Sequence, residues 1–173
     1  QHFKGTHMSR FVEILNKFKN GVSIERFHEI LTAIRQRLNA EAAHLEIAFP
    51  YFIEKRAPVS GITSTMDFEC TFSGTAGPGR EQDFVLGVTV PVTTLCPCSK
   101  AISAYGAHNQ RGLITVQTRF KGALWIEDLI EIIEERAVNR IYALLKRSDE
   151  QFVTQRAYDN PMFVEDVVRE VYG

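Results

Sequence analysis

No apolar run in this chain approaches the roughly 20 residues that a membrane-spanning helix needs, and no secretory signal opens it. A cytoplasmic setting with no membrane partner is therefore expected. An excess of one charge is also missing: the formal net charge is -1 with 24% charged residues, which excludes a global basic field, so the composition offers no support for a nucleic-acid partner and none is expected. Only a local basic site for phosphates stays open. Cysteine is scarce and odd in number, at three, and Cys96 and Cys98 stand too close to bridge without strain. A disulfide framework is excluded, and the thiols are left to metal binding, catalysis or burial. Neither GxGxxG nor GxxxxGK[ST] occurs, so both common nucleotide-binding loops are absent. Gln1 is no initiator and Gly173 follows directly on a helical pattern, so the middle of a longer protein is expected.

What is present is enough for a core: 173 residues, 45% of them hydrophobic, suit one domain or two small ones. Phe11, Ile14, Leu15 and Phe18 share one helical face, and Asn20-Gly21 ends that helix. Ser23 is placed to cap a second helix carrying Ile24, Phe27, Ile30, Leu31, Ile34 and Leu38, and the short turn between the two predicts an antiparallel pair. From His44 the period falls to two, and Leu45, Ile47 and Phe49 begin a strand that runs on through Tyr51 and Phe52. Thr65 to Phe72 alternates Met66, Phe68, Cys70 and Phe72 against Asp67, Glu69 and Thr71, which puts Cys70 in the core. Ser73 to Arg80 is the only stretch rich in glycine and proline, and it reads as a linker between two similar halves.

After it, Phe84 to Leu95 forms a strand in which Pro91 marks an edge or a bulge, and Leu113 to Phe120 forms another. Helical spacing returns from Ile126 and extends to about Lys146. A further helix is expected from Asp149 to Tyr158. A last one opens with Asn160 as cap and Pro161 at its first position, burying Val164, Val167, Val168 and Val171. Strands grouped apart from helices predict an α+β fold with antiparallel sheets and helices packed on one face.

Between the second pair of strands lies LCPCSKAISAYGAHNQR, Leu95 to Arg111, which concentrates the chemistry of the chain. Pro97 stiffens its backbone, and Gly106 allows a turn where a side chain would clash. Cys96 and His108 are a soft and a borderline ligand, a natural pair for zinc or a neighbouring divalent ion. A thiol nucleophile at Cys96 or Cys98 and a plain buried thiol are the competing readings. Lys100 and Arg111 are candidates for phosphates, with Asn109 and Gln110 giving directional hydrogen bonds. His7, Ser9 and Arg10 sit where a helix N-terminus attracts anions. Against both groups stands the plain alternative of capping residues and solvated charges.

CPCSK, then IS, then YGAHNQR resembles the signature of the type IB GTP cyclohydrolases. FKGTHMSRF at residues 3 to 11 resembles that family as well. So does the run from Glu150 through Gln155-Arg156-Ala157-Tyr158 and Asn160-Pro161 to Phe163-Val164-Glu165-Asp166. The resemblance implies tandem tunnelling-fold modules, at residues 1–76 and 77–173, each an antiparallel sheet carrying helices. Family members have further strands before FKGTHMSRF and after the last helix, with a catalytic glutamate and histidine. Both sheets are therefore expected to be incomplete in this chain.

The same resemblance implies a homo-oligomer, a tetramer, with active sites between subunits. It implies a divalent metal, zinc first and manganese or iron(II) as alternatives, held by Cys96 and His108 with Glu150 at or beside it; Cys98 belongs to the motif without an assigned ligand role. The implied reaction converts GTP and water to 7,8-dihydroneopterin triphosphate and formate, the first step of folate and pterin synthesis and of queuosine-type deazapurines. Glu165, at the edge of the last helix's apolar stripe, is the implied anchor for guanine N1-H and the 2-amino group. Two other functions are kept: a tunnelling-fold nitrile reductase with a cysteine nucleophile and a nicotinamide cofactor, and a non-catalytic purine- or pterin-binding module. Chelator sensitivity and formate release separate them.

Overall fold

A computed structural model describes residues 8–17, 24–79 and 83–173. It is α+β. The helices are α1 (Met8–Lys17), α2 (Ile24–Leu38), α3 (Pro97–Ile102), α4 (Ile126–Arg136), α5 (Arg147–Asp159) and α6 (Val164–Tyr172). The strands are β1 (Ala43–Arg56), β2 (Thr63–Ala76), β3 (Asp83–Leu95), β4 (Asn109–Thr118) and β5 (Asn139–Arg140). They form one open antiparallel sheet in the order β1-β2-β3-β4, with β5 paired to β3 through Val92 and Arg140 and through Thr93 and Asn139. No described helix is long and apolar enough to cross a membrane. The chain divides into two compact units, residues 1–48 with 71–87 and residues 49–70 with 88–173.

The first unit is built on the apolar face of α2. Phe27, Ile30 and Leu31 are fully buried, and the Phe27 ring meets Phe84 at 5.3 Å and Phe72 at 6.2 Å between centroids, edge to face. This geometry sets the positive rim of one ring against the negative face of the next. α1 packs on α2 and buries Ile14. Ser23, Asn20-Gly21 and Phe18, expected at the ends of these helices, lie outside the described residues.

The second unit buries Phe68, Cys70, Val88, Val90, Val92, Ile130 and Ile133. The Cys70 thiol is in this core as expected, and burial pushes its pKa up to about 11. A second cluster joins Leu95 at the end of β3 to Val138, Ala157 of α5 and Val167 of α6.

Five local expectations are corrected. Ser73 to Ala76 are the last residues of β2, not a linker. Of the two readings of Pro91, the edge is excluded, since Pro91 is buried within β3, a strand that pairs with β2, β4 and β5; the bulge is untouched by this. Asn109, Gln110 and Arg111 open β4 and are not loop residues. The helix expected to reach Lys146 stops at Arg136. Beyond it Ala137 is extended, Val138 is buried, and Asn139 enters the ladder with β3 while its amide donates to the Val153 carbonyl at 2.8 Å. Ala137, Ile141 and Leu144 kept helical spacing by coincidence.

The last helix starts at Val164, not at Asn160-Pro161. Asn160 closes α5, where its backbone N–H and its side-chain amide both donate to the Arg156 carbonyl, and Met162 N–H donates to the Leu95 carbonyl at 3.2 Å. That bond draws the connection along the end of β3. The expected apolar stripe shrinks accordingly: Val167 is buried and Val171 half-buried, while Val164 and Val168 are 64% and 60% exposed.

Candidate functional site

The stretch between β3 and β4 folds into a short helix and a turn. Pro97 occupies the first turn of α3, where its missing N–H costs nothing, and Gly106 has φ +72°, a left-handed conformation that favours glycine. Cys96 is the N-cap residue of α3, and its sulfur accepts from the Ser99 N–H at 3.5 Å.

Ser99 ties the site together. Its hydroxyl donates to the Cys96 carbonyl at 3.1 Å and accepts from the His108 N–H at 3.1 Å, while the Cys96 N–H donates to the His108 carbonyl at 3.2 Å. Twelve positions apart in sequence, Cys96 and His108 are thus fastened backbone to backbone with one serine between them. The Ser99 N–H draws the Cys96 thiol below its ordinary pKa, and donation from Cys98 acts in the same direction. A thiol held below its ordinary pKa and an imidazole carried on the same segment are donor types that zinc takes. Cys98 and His108 are exposed, and Cys96 is half-buried.

The other candidates are more dispersed. Lys100 turns towards α5: its ammonium donates to the Tyr158 carbonyl and stands 4.1 Å from the centroid of that residue's ring. Asn109, Gln110 and Arg111 are exposed on β4 next to His108, and the Gln110 carbonyl accepts from the Thr94 hydroxyl at 3.3 Å. Glu150 is exposed in the first turn of α5, and Glu165 is exposed in the first turn of α6. Ser9 and Arg10 are exposed on α1 in the first unit; His7 lies outside the described residues. Among the described residues no three His, Cys, Asp or Glu side chains converge on a common point that could hold a metal, so Glu150 is not gathered with Cys96 and His108.

Sequence reasoning missed two residues. Ser99 stands in the CPCSK motif with nothing in its spacing to mark a role. Asp149, next to Glu150, is completely buried and accepts four hydrogen bonds: from the N–H groups of Val59 and Ser60, both at 2.8 Å, from the Ser60 hydroxyl at 2.6 Å and from the Lys146 N–H at 2.8 Å. Burial alone would raise its pKa, but these donors outweigh it and hold the carboxyl below the usual range. Its signal in sequence is faint, an acid in the third position of a helix.

The family described as type I GTP cyclohydrolase folE2 matches residues 1–173 throughout. The chain belongs to this family. It is 60% identical over 170 residues to GTP cyclohydrolase FolE2 of Geobacter metallireducens, covering 98% of this chain and 64% of that protein. It is 59% identical over 170 residues to the FolE2 protein of Syntrophus aciditrophicus, covering 98% and 66%. With the FolE2 protein of Azoarcus sp. it shares 56% identity over 172 residues, 99% of this chain and 64% of the relative. The chain therefore spans a little under two thirds of the length of the curated relatives it matches.

Proposed function

We propose that these residues form the metal-binding and guanine-binding part of a metal-dependent GTP cyclohydrolase that converts GTP and water to 7,8-dihydroneopterin triphosphate and formate. The observation that carries this reading is the fastening of Cys96 to His108 through Ser99 in a chain that belongs to the FolE2 family. The relatives are themselves named GTP cyclohydrolase FolE2. The product would feed folate and pterin synthesis.

Cys96 and His108 would hold the metal, zinc before manganese or iron(II), and Glu150 would complete its protein ligands. When bound, such an ion supplies a Lewis acid that makes water nucleophilic near neutral pH. The chain's own residues do the rest. Ser99 keeps the two fixed ligands in register, and Glu165 accepts guanine N1-H and the 2-amino group in parallel, a charge-assisted match. Arg111 and Gln110, exposed beside His108, are proposed triphosphate contacts, and the sequence candidates His7, Ser9 and Arg10 are proposed for the same role. Lys100 would join them only by releasing Tyr158.

In the fold reading that goes with this function, residues 1–76 and 77–173 are tandem tunnelling-fold modules of a cytoplasmic homo-oligomer, a tetramer with sites between subunits. Its support in this chain is exposed apolar surface where a partner would be needed: Ile102 and Tyr105 are 88% and 94% exposed on the Cys96–His108 segment, and Val164 and Val168 stand open on α6.

The test is one panel on the full-length protein: bound metal, GTP affinity and formate release, with sedimentation alongside. Cys96→Ala should abolish metal retention and formate release together, and Cys98→Ala should keep some metal. Glu165→Ala should keep its metal but weaken GTP binding by about 1.5–3 kcal/mol, the scale of a hydrogen bond to a charged group. Formate release without metal would overturn the metal reading, unchanged GTP affinity would return Glu165 to the surface, and full turnover by a monomer would overturn shared sites.

A further inference from the structure

The chemistry proposed above leaves Arg156 on α5 without a task, although it stands in the Gln155–Tyr158 run of the sequence. Arg156 and Glu135 line both of two adjoining hollows, Arg136 lines one of them and Arg140 the other. Two of these three arginines are answered by acids: Arg136 pairs with Glu170 at 3.5 Å, and Arg140 pairs with Glu135 at 3.4 Å. Arg156 is not. Its side chain takes part in no ion pair or hydrogen bond among the described residues.

The hollow shared with Arg140 is a cleft of about 410 Å³, lined by Pro58, Glu135, Arg140, Tyr142, Phe152 and Arg156. That volume lies within the range of small-molecule sites, about 300–1,000 Å³. Phe152 is 39% exposed and stands four positions before Arg156, so both side chains leave α5 on one face. Tyr142, half-buried, forms the facing aromatic wall. Burial pushes its pKa up, while the charges of Arg140 and, more weakly, Arg156 work against that rise, so both cations act on this wall. Two cations against the single acid Glu135 leave the cleft locally positive in a chain whose net charge is -1. Phe152 and Arg156 fall about 200° and 240° round the helix from Glu150. The cleft is therefore on another face of α5 from the acid proposed for the metal, and it stands independently of that reading.

We propose that this cleft binds a planar aromatic anion, with its ring between Phe152 and Tyr142 and its carboxylate or phosphate group on Arg156. A guanidinium offers paired N–H donors in one plane, which match either anionic group. Aromatic walls take a flat ring offset or edge-on, which selects planar compounds from among anions at large.

The experiment uses the full-length protein with 2-naphthoate and 2-naphthyl phosphate as fluorescent probes, inorganic phosphate as the anion without a ring, and 2-naphthalenemethanol as the ring without a charge. Both naphthyl anions should bind saturably and raise the melting temperature, the tighter of the two identifying the anionic group, and both should bind better than either control. Arg156→Gln should weaken them about tenfold, the scale of a hydrogen bond to a charged group. Phe152→Leu should weaken them about fivefold and leave inorganic phosphate unchanged. Because Arg156 is exposed and unpaired, Arg156→Gln should melt with the parent when no probe is present, so a loss of binding is not a loss of fold. Glu165→Ala, which alters the proposed guanine anchor, should bind the probes as the parent does. No saturable binding by the parent, or equal affinity in the parent and Arg156→Gln, would overturn the proposal. So would a neutral ring that binds as well as the anions, which reduces the cleft to apolar surface, or inorganic phosphate that does, which reduces Arg156 to a general anion contact. Probe binding lost in Glu165→Ala and kept in Arg156→Gln would place the probes at the guanine site and overturn it as well.

Discussion

The two units hold themselves together by different means. In the first, the centre is Phe27 set between Phe72 and Phe84, with Ile30 and Leu31 beside it, and the constraint is shape. In the second, all four of the buried charged or amide side chains among the described residues, Lys55, Glu134, Asn139 and Asp149, are drawn into the interior. An apolar interior tolerates modest change because each contact is small and non-directional. A polar interior is stable only while every partner is in place, because an orphaned buried charge costs far more than the pair contributes. The unit that carries the candidate metal site is the one built on obligatory pairs.

The sharpest way to break this contrast is to remove the nearer partner of one buried charge. Lys55 donates to Glu134 and, at 2.9 Å, to the Ile141 carbonyl, and it lies 5.0 Å from the Tyr142 ring centroid; the pair's side chains are only 8% and 4% exposed. Lys55→Met leaves Glu134 only the longer pairing with Arg140, at 3.9 Å, and should therefore cost about 1–3 kcal/mol in denaturant unfolding. Replacing both partners, Lys55→Met with Glu134→Leu, should recover most of that loss, since an apolar pair of similar volume is often neutral. A single replacement costing less than a surface charge would show that the pair is not a structural requirement.

In the first unit the corresponding break is steric. A Cβ on Gly74 would lie 2.5 Å from the Asp83 carbonyl oxygen and 2.7 Å from Phe27 Cε1. Gly74→Ala should cost about 1–3 kcal/mol, the usual range for overpacking. Adding Phe27→Leu should relieve only part of it, because the nearer obstacle is backbone. Full recovery in the double mutant would mean that the aromatic ring alone fixes the glycine.

The contrast also explains what could be read in the sequence. The period-two run from Met66 to Phe72 and the α2 stripe from Phe27 to Ile34 are statements about burial, and they were legible because a shape-built core writes itself as periodicity. The second unit's core is written in long-range pairs. Asp149 meets Val59 across ninety positions and Lys55 meets Glu134 across 79, separations at which local pattern carries no information. Hence the helix predicted to run past Arg136 was broken by Asn139, whose partners are β3 and Val153, and the stripe on α6 was misjudged because Leu95 holds Met162. At the site, the chemical candidates Cys96 and His108 were visible by residue type. Ser99 was not, because a serine in a short helix has no distinguishing spacing.

The smallest predicted effect tests a polar tie nearer the surface of the second unit. The Tyr51 hydroxyl donates to Glu127, and that bond, followed by partial burial, raises its pKa from 10.0 to about 12. An unfolded tyrosine loses its proton around pH 10, so between pH 10 and about 12 the folded protein holds a proton that the unfolded chain has released. The contribution of this bond is therefore complete below pH 10 and fades as pH rises towards 12. Stability measured across that interval should fall more steeply in the parent than in Tyr51→Phe, whose side chain has no proton to lose, and the substitution should remove one late-titrating phenolate from the absorbance curve, leaving that of Tyr142, which burial also pushes up. Identical slopes in the two proteins would reduce Tyr51 to a surface contact and confine the second unit's dependence on polar pairs to its fully buried interior.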